Sequence, residues 1–369
     1  MIKLEPLRVL VFKTVSGEPV GRIPFTDVSW SQTINAAGTK TVTLQWSREA
    51  VRWNVAGKLK GKDWKVSVAL VRGSRVIAAG PMVRNTWDAE EMRLTLTVGD
   101  VWTLLDRLLT LDSKLKDRWQ DGEVIIDEDH PSDEWVVGVT SNFRDFVANF
   151  IQGVVQWRDL PIDVPPRVPG GSVARMWLGL EMRNLAQTLQ AITEEEGGPE
   201  IRWDPYIDEG GRLRWQSLIG TPEIVTHTWD WNTRRPGRRV RLTQVDDDGS
   251  AMVTEVIGVG GRRDDKVLVS RVQANSADMP LLQVADTSNT QETSLSVLRS
   301  HGRELLARGS VAQDCFTLKV GAEYDVRIGD HADVYVEDPW AGRGTLALKV
   351  VDLSGDASEW QQLQCRRRV

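Results

Sequence analysis

Cys315-Phe-Thr-Leu-Lys-Val320, Tyr324-Asp-Val-Arg-Ile-Gly329-Asp330, Ala332-Asp-Val-Tyr-Val336 and Thr345-Leu-Ala-Leu-Lys-Val-Val351 follow one another towards Val369, each alternating apolar with polar residues. Side chains on a strand point to opposite faces with period two, so this run predicts half-buried antiparallel strands. A helix-like stretch, Gln291 to Arg308, precedes it and ends at Gly309. Together they predict a small β barrel with a helix laid against it. No catalytic constellation lies within the run.

The first third of the chain has the same character. Leu7-Arg-Val-Leu-Val-Phe12 reads as a strand, Ser16-Gly-Glu-Pro19 as a turn, and Val20 to Ile23 leads into Val28-Ser-Trp-Ser31. Thr39-Lys-Thr-Val-Thr-Leu-Gln-Trp46 alternates cleanly, a strand from Trp64 to Val71 follows, and Arg72-Gly-Ser-Arg75 is a hairpin-type turn. After the strand Glu91 to Val98, Asp100 stands where an N-cap would, before the apolar spacing of Val101 to Leu109. This unit predicts a β barrel or sandwich ending in a helix.

Between the two β units the pattern changes to helices. Phe143, Phe146, Val147, Phe150, Ile151 and Val154 fall on one face of a helix that Ser141 would cap. A proline-rich crossing, Pro161 to Gly171, reads as an extended connection because helical content resumes at once. Leu178, Met182, Leu185, Leu189 and Ile192 repeat up to the stop at Gly197-Gly198. Next comes a hairpin, Glu200 to Trp203 and Arg212 to Trp215, with its two tryptophans expected on one face. The expected organisation is therefore residues 1–111 as a first β unit with a terminal helix, 112–231 as a helical and hairpin insertion, and 232–369 as a second β unit with an inserted helix at 291–308. The fold class is mainly β with α insertions, two tube-like barrels flanking the insertion.

Composition narrows the function classes. The chain has 369 residues, enough for two or three domains, and no apolar run approaches the roughly 20 residues of a membrane span. Its start, Met1 to Leu7, places an acid and a proline where a signal peptide needs an apolar stretch. A net charge of -6 argues against a protein that grips nucleic acid. Local basic clusters at Arg234, Arg235, Arg238, Arg239 and Arg241, and at Arg366 to Arg368, read as a solvated turn and a solvated end. Cys315 and Cys365 read as small hydrophobes in a reducing compartment. Tryptophan is in excess, 16 against 3 Tyr and 6 Phe, which suits cores, subunit contacts or sugar-stacking platforms.

Chemistry-bearing patterns are missing from the sequence. His130, His227, His301 and His331 form no His-Glu-x-x-His and pair with no Cys at zinc-ligand spacing. The acidic runs Asp127 to Glu134 and Asp246-Asp-Asp-Gly249 lack the final Glu of a calcium loop, and read as a solvated loop and a hairpin turn. Gly258-Val-Gly-Gly261 has no helix after it to hold a phosphate and reads as a turn or bulge. No Gly-x-Ser-x-Gly elbow occurs. No catalytic, cofactor-binding or metal residues are assigned.

The helix with its Gly-Gly stop, the hairpin closed by Gly220, the strand Val253 to Gly260, the helix before Gly309 and the stretch Ile328-Gly-Asp330 resemble, in this order, the tail hub proteins of long-tailed bacteriophages. The resemblance is nearest to minor tail proteins of phages that infect actinobacteria. It extends to the baseplate hub of contractile-tail phages and the hub part of type VI secretion spikes. It implies a structural, non-enzymatic protein in the virion tail tip, assembled in the host cytoplasm and needing no cofactor. Three copies would form a ring of six β units, joining the distal tail protein or tail tube to the tip proteins and the tape measure protein. DNA would pass through the axial channel only in transit. Trp203, Trp215, Arg234, Arg235, Arg238 and Arg239 are expected at contact surfaces. With the sequence ending at Val369, the lytic extension of larger tail-tip proteins is not expected. Two other readings are a carbohydrate-binding receptor protein at the tail tip, suggested by the tryptophans, and a six-copy distal tail ring protein.

Overall fold

The computed structural model describes residues 4–111 and 137–368, apart from 169, 172, 178–181, 238, 264, 275–278, 291 and 311–312. The acidic run at 127–134, His130, Leu178 and Arg238 therefore lie outside the described residues.

The first β unit contains β1 (Leu7–Lys13), β2 (Pro19–Ile23), β3 (Asp27–Thr33), β4 (Lys40–Gln45), β5 (Val66–Arg72), β6 (Arg75–Asp88) and β7 (Arg93–Val98). The alternation seen in the sequence is the alternation of burial: Val42 and Leu44 of β4 point into the core while Thr41 and Thr43 are half-exposed. Two short helices, α1 (Arg48–Arg52) and α2 (Val55–Leu59), join β4 to β5 and have no counterpart in the sequence reading. Asp100 caps α3 (Val101–Leu105) as expected, in a reciprocal capping box with Thr103.

The middle contributes β8 (Val137–Ser141), α4 (Phe143–Arg158), β9 (Ile162–Asp163), β10 (Val173–Trp177), α5 (Leu185–Thr193) and the hairpin β11 (Ile201–Ile207) and β12 (Leu213–Ile219). Asn142, not Ser141, caps α4: its side chain accepts from Asp145 N–H, while Ser141 Oγ donates to Asp145 Oδ2. Phe146, Val147, Phe150 and Ile151 of α4 pack with Leu185, Leu189 and Ile192 of α5, with Trp102, and with the outer faces of β5 and β6. That second core explains why β5 is buried on both faces.

The second β unit consists of β13 (Thr228–Asn232), β14 (Val240–Asp248), β18 (Gln313–Gly321), β19 (His331–Asp338), β20 (Gly342–Asp356) and β21 (Trp360–Arg367). Between β14 and β18 the chain makes a separate sheet of β15 (Glu255–Arg263), β16 (Lys266–Gln273) and β17 (Gln283–Asp286), followed by α6 (Leu295–Gly309). Gly258 to Gly261 lie in β15 across a register shift between Val259 and Arg262, the bulge expected there. Tyr324 to Asp330 is not a strand. Val326 and Ile328 are buried as its alternation predicts, but the carbonyls of Tyr324, Val326 and Ile328 accept from the Arg75 and Arg202 guanidiniums instead of a neighbouring strand.

The two β units repeat one plan. The first pairs its strands in the order β1-β5-β6-β7-β4-β3 and the second in the order β13-β19-β20-β21-β18-β14, each name standing at the same place in chain order. β6 and β7 shift register between Met82 and Arg84, and β20 and β21 between Val350 and Asp352. Trp64 N–H donates to the Met82 carbonyl at 2.7 Å, and Gly329 N–H to the Val350 carbonyl at 2.7 Å. Both donors have positive φ, 63° and 87°. The units also differ: β13 runs parallel to β19 whereas β1 is antiparallel to β5, β2 has no counterpart, and register shifts in β5–β6 and β14–β18 are not repeated in β19–β20 and β3–β4.

Neither unit closes into the expected barrel: among the described residues no pairing joins β2 to β3 or β13 to β14. Instead Thr33 to Ser29 of β3 pairs with Asp352 to Asp356 of β20, which fuses the units into one 13-stranded sheet folded over a shared core. A long strand in each unit, β6 or β20, turns the corner between the layers.

Candidate functional site

The charged groups with the most partners lie where the middle hairpin, the loop before β13 and the second β unit meet. Arg202, buried on β11, donates to the Ile328 carbonyl at 2.6 Å, to Thr226 Oγ1 and to Asp204 Oδ2 at 2.9 Å. Asp330, also buried, accepts from Thr226 Oγ1 at 2.6 Å, from Trp229 Nε1 at 3.0 Å and from Arg327 N–H at 3.0 Å. Beside them Lys349 Nζ pairs with Glu200 at 2.6 Å and Glu223 at 3.2 Å. His331 Nδ1 meets Arg368 at 2.9 Å. Burial, then the Arg368 and Lys349 charges, hold the His331 imidazole below its ordinary value. These contacts clamp three segments together: the β11 hairpin through Arg202, the loop before β13 through Glu223 and Thr226, and the second β unit through Asp330, His331 and Lys349.

A second joint lies under α3. Lys40, almost fully buried, donates from Nζ to the Gly99 carbonyl at 3.0 Å and stands 3.8 Å from Asp100. Its pKa is lowered, chiefly by burial, against the pull of Asp100.

The tryptophans divide by place. Trp203 and Trp215 share a face of the β11–β12 hairpin, but diagonally: Trp203 pairs with Ser217 and Trp215 with Pro205. Both are buried, Trp203 edge-on to Trp102 at 6.0 Å, so they fasten the hairpin to the first unit. Trp229 and Trp231 stack at 5.5 Å against Tyr324. Trp360 lines a cleft of about 220 Å³ with Trp30, Arg72, Arg75 and Glu323. Its ring is covered by the cations of Arg239, Arg241 and Lys319, which leaves it a poor sugar platform. Among the described residues the exposed ones are Trp87 (45%) and Trp340 (77%), which no pattern in the sequence singled out.

The basic loop also divides. Arg234 and Arg235 are exposed on the turn after β13, while Arg239 is tied to Glu323 and Glu359. Cys365 is buried and Cys315 half-buried on paired strands, and burial pushes both thiols up, away from reactivity. Among the described residues no three His, Cys, Asp or Glu side chains gather as a metal would require. No described helix is long and apolar enough to cross a membrane.

No protein-family model and no curated protein matches the sequence. Solved structures match along its whole length. The tail protein from Neisseria meningitidis MC58 superposes with a TM-score of 0.54 at 11% identity, over 98% of this chain and 97% of that one. The 43 kDa tail protein of prophage MuSo2 from Shewanella oneidensis gives 0.51 at 11% identity, over 98% of both. The E. coli c3393 protein, a component of the type VI secretion system with structural similarity to T4 bacteriophage tail proteins gp27 and gp5, gives 0.50 at 9% identity. It is covered over 76% of its length and covers 100% of this chain. At such identities the likeness is one of fold: the chain has the fold of phage tail proteins, the group its sequence resembles.

Proposed function

We propose that the chain is a structural, non-enzymatic hub subunit of a phage tail, joining the tail tube or distal tail ring to the tip proteins around an axial channel. The observation that supports this reading is the repeated strand plan, two β units joined edge to edge within a full-length tail-protein fold. A subunit carrying two equivalent units supplies two positions of a ring, so three copies present six. In this reading the chain divides at 1–111, 112–231 and 232–369, with Thr228–Asn232 spanning the last boundary, and each β unit takes one tube-like position in the assembled ring. The Arg234 and Arg235 turn is a contact surface, and Trp203 and Trp215 hold the insertion in place. The protein sits at the virion tail tip, is assembled in the host cytoplasm, and meets the tape measure protein there. A lumen carrying the chain's net negative charge lets DNA slide without sticking; a lumen lined by Arg and Lys would refute that part.

The test is the mass of the assembled particle by light scattering, alone and with neighbouring tail proteins, together with negative-stain images. A three-copy ring with a near six-fold outline is expected. A six-copy ring would point to a distal tail protein, and a monomer even with partners present would refute the hub and favour a receptor-binding module.

A further inference from the structure

The repeat fixes more than the number of units, because it can be followed residue by residue. Met82 pairs with Val98, Val98 with Lys40, and Lys40 with Trp30. In the second unit Val350 pairs with Cys365, Cys365 with Phe316, and Phe316 with Val245. Met82 and Val350 are matched independently by the bulge that follows each and by the N–H each carbonyl accepts. The counterpart of Trp30 is therefore Val245, and the counterpart of Asp352 to Asp356 is Arg84 to Asp88.

Within the chain, β3 of the first unit is joined to β20 of the second. Their counterparts are β14 of the second unit and β6 of the first. Both are open where the repeat would use them: among the described residues nothing pairs with the outer edge of β14, or with the edge of Arg84 to Asp88 opposite β7. We propose that a second copy of this chain fills them, β14 of one copy pairing antiparallel with residues 84–88 of the next. This deepens the ring reading above and rests on it. The contact is head-to-tail, and with the rotation between units that the ring reading requires its repetition closes into a ring in which first and second units alternate.

The in-chain joint pairs Thr33 with Asp352 and Trp30 with Gly355. Carried over, it sets Arg84 against Asp248, Asn85 against Asp247, Thr86 against Asp246 and Trp87 against Val245. This register brings the one cation of the β6 edge opposite an acid of the β14 edge and the exposed Trp87 opposite a half-buried valine. Trp340, the most exposed of the large apolar side chains among the described residues, reaches Asp247 at 3.4 Å beside the same edge. Acids on an exposed edge also serve to guard it against pairing, and a double variant that stays monomeric on oxidation while rings form would assign the three aspartates of β14 that role.

The test is a cysteine pair, Thr86→Cys with Asp246→Cys, in the full chain with Cys315→Ser and the buried Cys365 left in place. Both new positions are exposed, so folding should be retained. After mild oxidation the double variant should give a ladder of covalent oligomers ending in one closed species on a non-reducing gel. Each single variant should stay at the monomer band, and an equimolar mixture of the two singles should give dimers and nothing larger. Rings seen by microscopy without an 86–246 link would overturn the edge pairing and leave the hub standing. A link formed by Thr86→Cys alone would mean a two-fold contact and overturn it as well. Absence of any assembly, even with neighbouring tail proteins, would overturn the hub reading and the edge pairing together.

Discussion

Replacing Asp330 by alanine removes one carboxylate from three donors at once. Oδ1 accepts from Thr226, and Oδ2 from the Trp229 indole and the Arg327 backbone. Thr226 is exposed, so its hydroxyl turns to water; the other two donors are left with no acceptor in a site where Asp330 itself is 1% exposed. At about 1–2 kcal/mol for each orphaned donor, Asp330→Ala should destabilise the chain by about 3 kcal/mol. Asp330→Asn behaves differently. Its remaining oxygen serves Trp229 and Arg327, and its amide donates to Thr226, whose hydroxyl accepts as readily as it donates. What is lost is the charge assistance, about 1 kcal/mol. Urea unfolding of the two variants, followed by tryptophan fluorescence, measures both. Equal effects, or an alanine variant within about 0.5 kcal/mol of the parent, would refute the clamp described at this crossing.

Three more outcomes follow from the same geometry. Lys40 is held below 10.5, so between its folded value and 10.5 the unfolded chain binds more protons and stability rises with pH; Lys40→Met should flatten that alkaline limb in urea titrations. His331 is held below 6.5, so the stability it contributes is complete above 6.5 and is lost as pH falls through 6.5 towards the folded value. His331→Gln should remove this share of the acid loss, and an unchanged acid limb would count against it. Gly80→Ala would place a methyl 2.0 Å from the Gly99 carbonyl oxygen and should cost about 3 kcal/mol or prevent folding, whereas Gly153→Ala, with open space around it in α4, should gain about 0.5–1 kcal/mol.

Local signals in the sequence located most elements whose partners are near in the chain. The α4 face, the Asp100 cap and the β11–β12 hairpin are set by side chains a few residues apart, and periodicity reports them. The joint between the units is of another kind: Ser29 and Asp356 pair across almost the whole chain, and nothing local to either strand specifies its neighbour. The stretch Tyr324 to Asp330 carries a strand's alternation without being one, because two arginines from distant strands take its carbonyls. Trp203 and Trp215 were expected at a contact surface. The structure places both between the hairpin and the first unit, which depends on how the insertion docks and not on composition. Trp87 and Trp340 carry no sequence mark that separates them from the buried tryptophans; only burial does.

β6 serves both layers of the first unit, pairing with β5 over residues 75–81 and with β7 over 82–88, and β20 does the same for the second. A strand shared in this way cannot leave one layer without being bent out of the other, so the layers of a unit should open as one. Native-state hydrogen exchange would then find one opening free energy for the amides of both halves of β6, and another for both halves of β20. Mechanically, the chain would behave as two blocks and a coupling strip, with the β3–β20 seam as the place where one block could yield before the other.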